Sequence, residues 1–230
     1  MQHPIVSRDE WLQARKTLLA RERAMTHELD ALRAERRQLP WVRLDKNYIF
    51  AGPKGDCSLG DLFGTRTQLA IYHFMLAPDS EHLCSGCSLV ADHIDGARQH
   101  FEHADLAFAA VARAPIQRIE AVRRRMGWTF PWVSSVGNDF NTDFNVSFSE
   151  EERKTGRAIY NYGTVIQNSA DMFGVSVFVK GNDNAIFHTY STYHRGVEML
   201  MGALMWLDLA PKGRNETEGT HSWVKLHDEY

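Results

Sequence analysis

The order of apolar runs predicts an α/β domain: a mixed sheet flanked by helices, with a long N-terminal helical extension. Three observations predict it. TQLAIYHFML (67–76) and DLAFAAVA (105–112) are nearly unbroken apolar runs, as expected of strands covered on both faces. Segments with apolar residues at helical spacing alternate with them. VSVFVK and AIFHTYS, flanking Gly181-Asn182-Asp183-Asn184, form a hairpin that adds antiparallel strands.

Each element has a local reason. Ser7 and Glu10 have capping-box spacing and Pro40 marks a stop, so one helix is expected from Ser7 to about Gln38. Trp11, Leu18, Met25 and Leu32 recur every seven residues, with Leu29 beside them. So narrow a stripe on a charged helix suits a subunit boundary, and a homodimer is expected. Gly52-Pro53 and Lys54-Gly55 punctuate a hairpin of short strands. SLVADHIDGARQHFEHA reads as a helix, as does APIQRIEAVRRRMGW with Gly127 as its stop. TFPWVSS reads as a third strand, interrupted at its start by Pro131. DFNTDFNVSFSE reads as an extended segment with Phe140, Phe144, Val146 and Phe148 on one buried face. RGVEMLMGALMWLDLA reads as an amphipathic helix closing the domain. The expected division is a helical extension over 1–40, a domain over 41–214 and a tail over 215–230.

Composition narrows the function classes. With 230 residues and 43% hydrophobic content, one substantial core can form. A net charge of −3 gives no general attraction to nucleic acid or anionic lipid. No run approaches the ~20 apolar residues of a membrane helix, and the polar stretch Met1 to Glu10 does not read as a secretory leader. Three cysteines leave one unpaired, which argues against a secreted disulfide framework and for a cytoplasmic workplace.

Two of those cysteines, Cys84 and Cys87, form a Cys-x-x-Cys between the strand at 67–76 and a helix. Unpaired N–H groups and the positive dipole end at a helix N-terminus favour a thiolate at Cys84, and Cys87 lies close enough to attack a mixed disulfide. That is the geometry of a thioredoxin-type dithiol, with Ser85 and Gly86 between the sulfurs. Two structural cysteines at a helix start are the plain alternative. Zinc is a further one, since His82, His93, His100 and His103 lie nearby, but Cys57 is the only other cysteine and no second ligand pair has the required spacing. Ser88 after Cys87 excludes haem attachment.

LPWVRLDKNYIFAGP, LAIYHFML, CSGCS, RMGWTFPWVSS, DFNTDFNVSF, IFHTYSTYHRG and LDLAPKGR together resemble the bacterial DUF899 family, from Trp11 to Arg214. The resemblance implies a thioredoxin-like fold and a redox role. The order of segments is also similar to that of peroxiredoxins, which implies that Trp132, Ser134 and the turn at Gly174-Val175 border the Cys84 site. Two departures stand out. Ser80-Glu81-His82-Leu83 replaces the peroxiredoxin threonine or serine and proline ahead of the cysteine. Gly174 and Val175 stand where thioredoxins carry a cis-proline.

The expected function is thiol–disulfide or peroxide-linked oxidoreduction, with Cys84 attacking and Cys87 resolving. No cofactor or metal is called for; electrons would come from a dithiol protein or a small thiol. The alternative is a thioredoxin-fold binding or scaffold protein without catalysis. Other constellations carry less. Asp139, Asn141, Asp143, Asn145, Ser147 and Glu150 mimic calcium-loop spacing, but Phe144 replaces the required glycine. Ser134 or Ser135 with His188 lacks a nucleophile elbow. Arg123-Arg124-Arg125 reads as a solvated face, and Met199, Met201, Met205 and Trp206 as packing.

Overall fold

The computed structural model describes residues 3–230. The chain divides after Pro40 into two compact units, the second being Trp41–Tyr230.

The first unit is α1 (Arg8–Arg37). The Ser7 hydroxyl accepts the Glu10 N–H at 3.3 Å while the Glu10 carboxylate accepts the Ser7 N–H at 2.9 Å, the reciprocal capping expected from sequence. No residue of α1 is buried. Its stripe is open, with Met25 73% exposed.

The second unit runs β1 (Val42–Arg43), β2 (Ile49–Gly52), β3 (Gly55–Ser58), β4 (Gln68–His73), α2 (Ser85–Asp92), α3 (Asp95–His103) and β5 (Leu106–Ala112). It continues with α4 (Ile116–Arg125), β6 (Trp132–Ser134), α5 (Phe140–Asp143), α6 (Glu150–Lys154) and the small pair β7 (Ile159–Tyr160) and β8 (Val165–Ile166). β9 (Gly174–Lys180), β10 (Ile186–Tyr193), a 3₁₀ segment His194–Leu200 and α7 (Gly202–Leu209) follow. The main sheet has the order β1-β10-β9-β4-β5-β6-β2-β3. β4, β5 and β6 are parallel, as helical crossovers require, and β9 runs antiparallel to β4. This is a thioredoxin-like mixed sheet, with the strand leading to the cysteines at its centre.

Strand alternation builds two cores. Tyr72, Phe108 and Ala110 face the layer that holds Cys87, Val90 and Trp132. Leu69, Ile71, Ala107 and Ala109 face the opposite layer with Phe50, Phe140 and Phe178. A central strand buried on both faces is why its sequence reads as an unbroken apolar run.

Three expected elements differ. The helix expected over 88–104 begins earlier, at Ser85, and is two helices. It breaks at His93-Ile94 so that Leu89, Val90, Ile94 and Phe101 all reach one layer. The 139–150 segment is not extended throughout. Asn138 Oδ1 caps the Phe140 N–H at 2.9 Å to start α5, and Asn145 at φ 53° turns the chain out of it. The expected burial of Phe140, Phe144, Val146 and Phe148 nevertheless holds. The closing helix over 195–210 is a 3₁₀ segment and α7, separated at Met201. The His93 ring causes the restart, because its Nε2 accepts the Ala203 N–H at 2.9 Å. Within α7 only Leu204 is buried, while Trp206 and Leu209 are 75% and 80% exposed. Residues 215–230 pack onto this unit: Val224 and Leu226 are buried in the Cys87 layer, and Arg125 forks onto Asp228 at 2.7 and 3.0 Å.

Candidate functional site

After β4 the chain crosses from the sheet to the start of α2, and Cys84 is the N-cap of that helix. Its extended backbone (φ −64°, ψ 113°) points the side chain back over the first turn, where Sγ accepts the Cys87 N–H at 3.2 Å. Ser88 Oγ donates to the Cys84 carbonyl at 2.9 Å and fixes the turn from below. Ser85 is the first helical residue, and Gly86 leaves the sulfur uncovered, its nearest neighbour on that side being Sγ itself at 4.0 Å from where a Cβ would stand.

The two sulfurs differ in environment. Cys84 is partly exposed and Cys87 only 1% exposed. Hydrogen bonding from the Cys87 thiol holds the Cys84 thiol down at about 7; burial opposes this, and the N–H groups of Cys87 and Gly86 assist it. Burial pushes the Cys87 thiol well up, and the neighbouring Cys84 adds to this. The phenol of Tyr72 (1% exposed) and the N–H of Met75 are the groups that favour a Cys87 thiolate. Cys57 lies in β3; burial, then Asp61 and Asp56, raise its thiol.

A cavity of about 410 Å³ opens beside Cys84, Gly86 and Cys87. Met172, Phe173 and Met201 form apolar walls, and the chain from His194 to Glu198 forms a polar one. Burial opposes ionisation of Glu198, but Arg195 and Arg214 outweigh it and hold the carboxyl below its ordinary range. Arg195 Nε and Arg214 Nη1 each donate to it at 2.8 Å. Thr220 and His221 complete the rim. Sequence reading missed all of these, because nothing in the local pattern of residues 167–221 ties them to the cysteines.

The expected supporting residues belong to the packing around the dithiol rather than to the cavity lining. Trp132, Ser134, Gly174 and Val175 do not line this cavity. Trp132 packs at a 45° tilt against Phe74 with centroids 4.6 Å apart, and Val175 belongs to the same buried layer. Ser134 Oγ donates to the Ala114 carbonyl at 2.6 Å. Gly174 is a packing glycine, since a Cβ there would overlap the Tyr193 ring. β9 starts at Gly174, and the two residues just ahead of it, Met172 and Phe173, line the cavity.

The histidines are likewise redistributed. His93 caps α2, one eight-residue helix or ~12 Å from Cys84, and bridges the Leu89 carbonyl (2.6 Å) to the Ala203 N–H. His188 does not meet Ser134 or Ser135. It joins a buried line from His188 to Ser191, Ser176 and His73, each step 2.8 Å. Ser135 instead donates to Asn141 Oδ1 at 2.7 Å. Among the described residues no three His, Cys, Asp or Glu side chains converge as a metal ion needs, and no helix is long and apolar enough to cross a membrane.

Residues 1–230 match the family model described as bacterial protein of unknown function, DUF899, and the chain belongs to that family. No curated protein matches the sequence. Among solved structures, a PrxQ mutant from Xylella fastidiosa is similar at 16% identity and a TM-score of 0.46, over 72% of this chain and 94% of that one. Peroxidoxin BcpB from Mycobacterium tuberculosis is similar at 12% identity and 0.44, over 74% and 96%. A protein from Bacteroides thetaiotaomicron described as a putative protein disulfide isomerase is similar at 15% identity and 0.40, over 72% and 91%.

Proposed function

We propose that this DUF899 protein is a thiol-dependent oxidoreductase, acting on disulfides or peroxides, in which Cys84 attacks and Cys87 resolves. One observation carries the reading. Cys84 caps α2 with a thiol lowered to about 7 and faces a cavity, while Cys87 waits behind it, buried and protonated. A thiol with that acidity is about half thiolate at pH 7 and still nucleophilic. Electrons return from a dithiol protein or small thiol, and no further cofactor enters the cycle. A count of three cysteines, which leaves one unpaired, suits a reducing, cytoplasmic workplace. The open stripe of α1 supports a homodimer through that extension.

Mild oxidation followed by thiol titration tests this. Loss of two thiols, mapped to a Cys84–Cys87 disulfide and restored by dithiol, is the expected result; two inert thiols overturn it. A second reading, a binding or scaffold protein, draws on Gly174 and Val175 standing where thioredoxins place a proline opposite the dithiol. Inert thiols favour it.

A further inference from the structure

The cavity beside Cys84 holds a second reactive group. His221 lines it with Thr220, although both come from the C-terminal segment, far from the cysteines in sequence. The backbone of His221 is left-handed (φ 60°), and the Glu216 carboxylate holds it there by accepting the His221 N–H at 2.8 Å. The same oxygen, Oε1, lies 4.0 Å from Nε2 of the ring, and Nε2 is buried without a hydrogen bond. Nε2 is thus turned to the carboxylate, and the other ring nitrogen is Nδ1. Carboxylate, imidazole and thiol around one cavity are the parts of an activated nucleophile: a thiol, a proton acceptor and a third group beside that acceptor.

We propose that His221 is the acid–base residue of this cavity and that its substrate is a low-molecular-weight disulfide; the proposal rests on the redox reading above. Cys84 gives its thiol proton to Nδ1 and attacks one sulfur of R–S–S–R. The Cys84–S bond forms as the substrate S–S bond breaks, and the departing sulfur leaves with the bonding pair and takes the proton from Nδ1 as RSH. Cys87 then attacks the Cys84 sulfur, closing the Cys84–Cys87 disulfide and releasing the second half as RSH with the Cys87 proton. The dithiol loses two electrons and the substrate gains them, with no proton left over. The cavity volume and its apolar walls at Met172, Phe173 and Met201 suit an organic body, far larger than hydrogen peroxide.

Leaving-group dependence tests the assignment. Reduced wild-type protein and His221→Gln are each mixed at neutral pH with two disulfides of similar size. A dipyridyl disulfide releases a stable anion that needs no proton; a dialkyl disulfide releases an alkanethiolate that does. The ratio of the dipyridyl to the dialkyl rate is expected to rise about 100-fold in His221→Gln. Glu216→Gln should raise it by a smaller factor, and it keeps the test readable if the histidine variant does not fold. Parallel loss with both probes, or an unchanged ratio in both variants, overturns the proposal while leaving the redox reading in place. An equal rise in His194→Gln also overturns it, by moving the proton to the exposed histidine of the rim. Wild-type Cys84 that reacts with neither probe overturns the proposal, and the redox reading falls with it only if mild oxidation also leaves both thiols inert.

Discussion

The Cys87 N–H donates to Cys84 Sγ at 3.2 Å, so the residue that would resolve the mixed disulfide also stabilises the attacking thiolate. Cap and dithiol are one device: the spacing that puts a donor at the third helical position also puts the second sulfur behind the first.

Alkylation across pH reads this directly. The fast-reacting thiol should titrate near 7 and be lost in Cys84→Ser. Cys57, raised by burial and two carboxylates, should react with a pKa above that of a free thiol. A fast phase that survives Cys84→Ser would remove Cys84 from its role.

Cys87→Ser should trap the first half-reaction. With the resolving sulfur gone, incubation with a small disulfide is expected to leave a mixed disulfide on Cys84, visible by mass spectrometry. Turnover through an intact Cys84 with no such adduct would mean that resolution occurs elsewhere.

Tyr72 lies against Cys87, and its hydroxyl lowers the thiol that burial raises. Tyr72→Phe should therefore slow closure of the Cys84–Cys87 disulfide while the Cys84 alkylation rate holds. Equal slowing of both steps would point to a general loss of packing.

His73 couples stability to pH. Burial is the largest cause pushing this fully buried ring down to about 3, with His188 adding to it. Between about 6.5 and 3 the unfolded chain binds a proton that the folded one does not, so stability falls as pH falls through that window. One such proton contributes a slope of about 1.4 kcal/mol per pH unit. Denaturant titrations of His73→Gln should show the slope reduced by that amount; an unchanged slope would show that His73 does not carry it.

Gly174→Ala is expected to destabilise by about 1–3 kcal/mol, the cost of overpacking a filled site, because its new methyl group meets the Tyr193 ring. Thermal unfolding measures it, and wild-type stability in that variant would show that the ring can move aside.

Much was determined by local pattern. The unbroken runs at 67–76 and 105–112 declared central strands, Ser7 and Glu10 declared the start of α1, and Cys84-x-x-Cys87 after a strand declared the helix cap. These depend on neighbours within four residues, where periodicity and capping act. Tertiary structure decided the rest. It broke α2 from α3 at His93, set β9 to begin at Gly174 with Met172 and Phe173 at the cavity, and folded residues 215–230 back so that His221 lines the same cavity as Cys84. Those outcomes turn on strand register and on which apolar side chains share one buried layer. Both are settled only when distant segments pack together, and no local spacing encodes them.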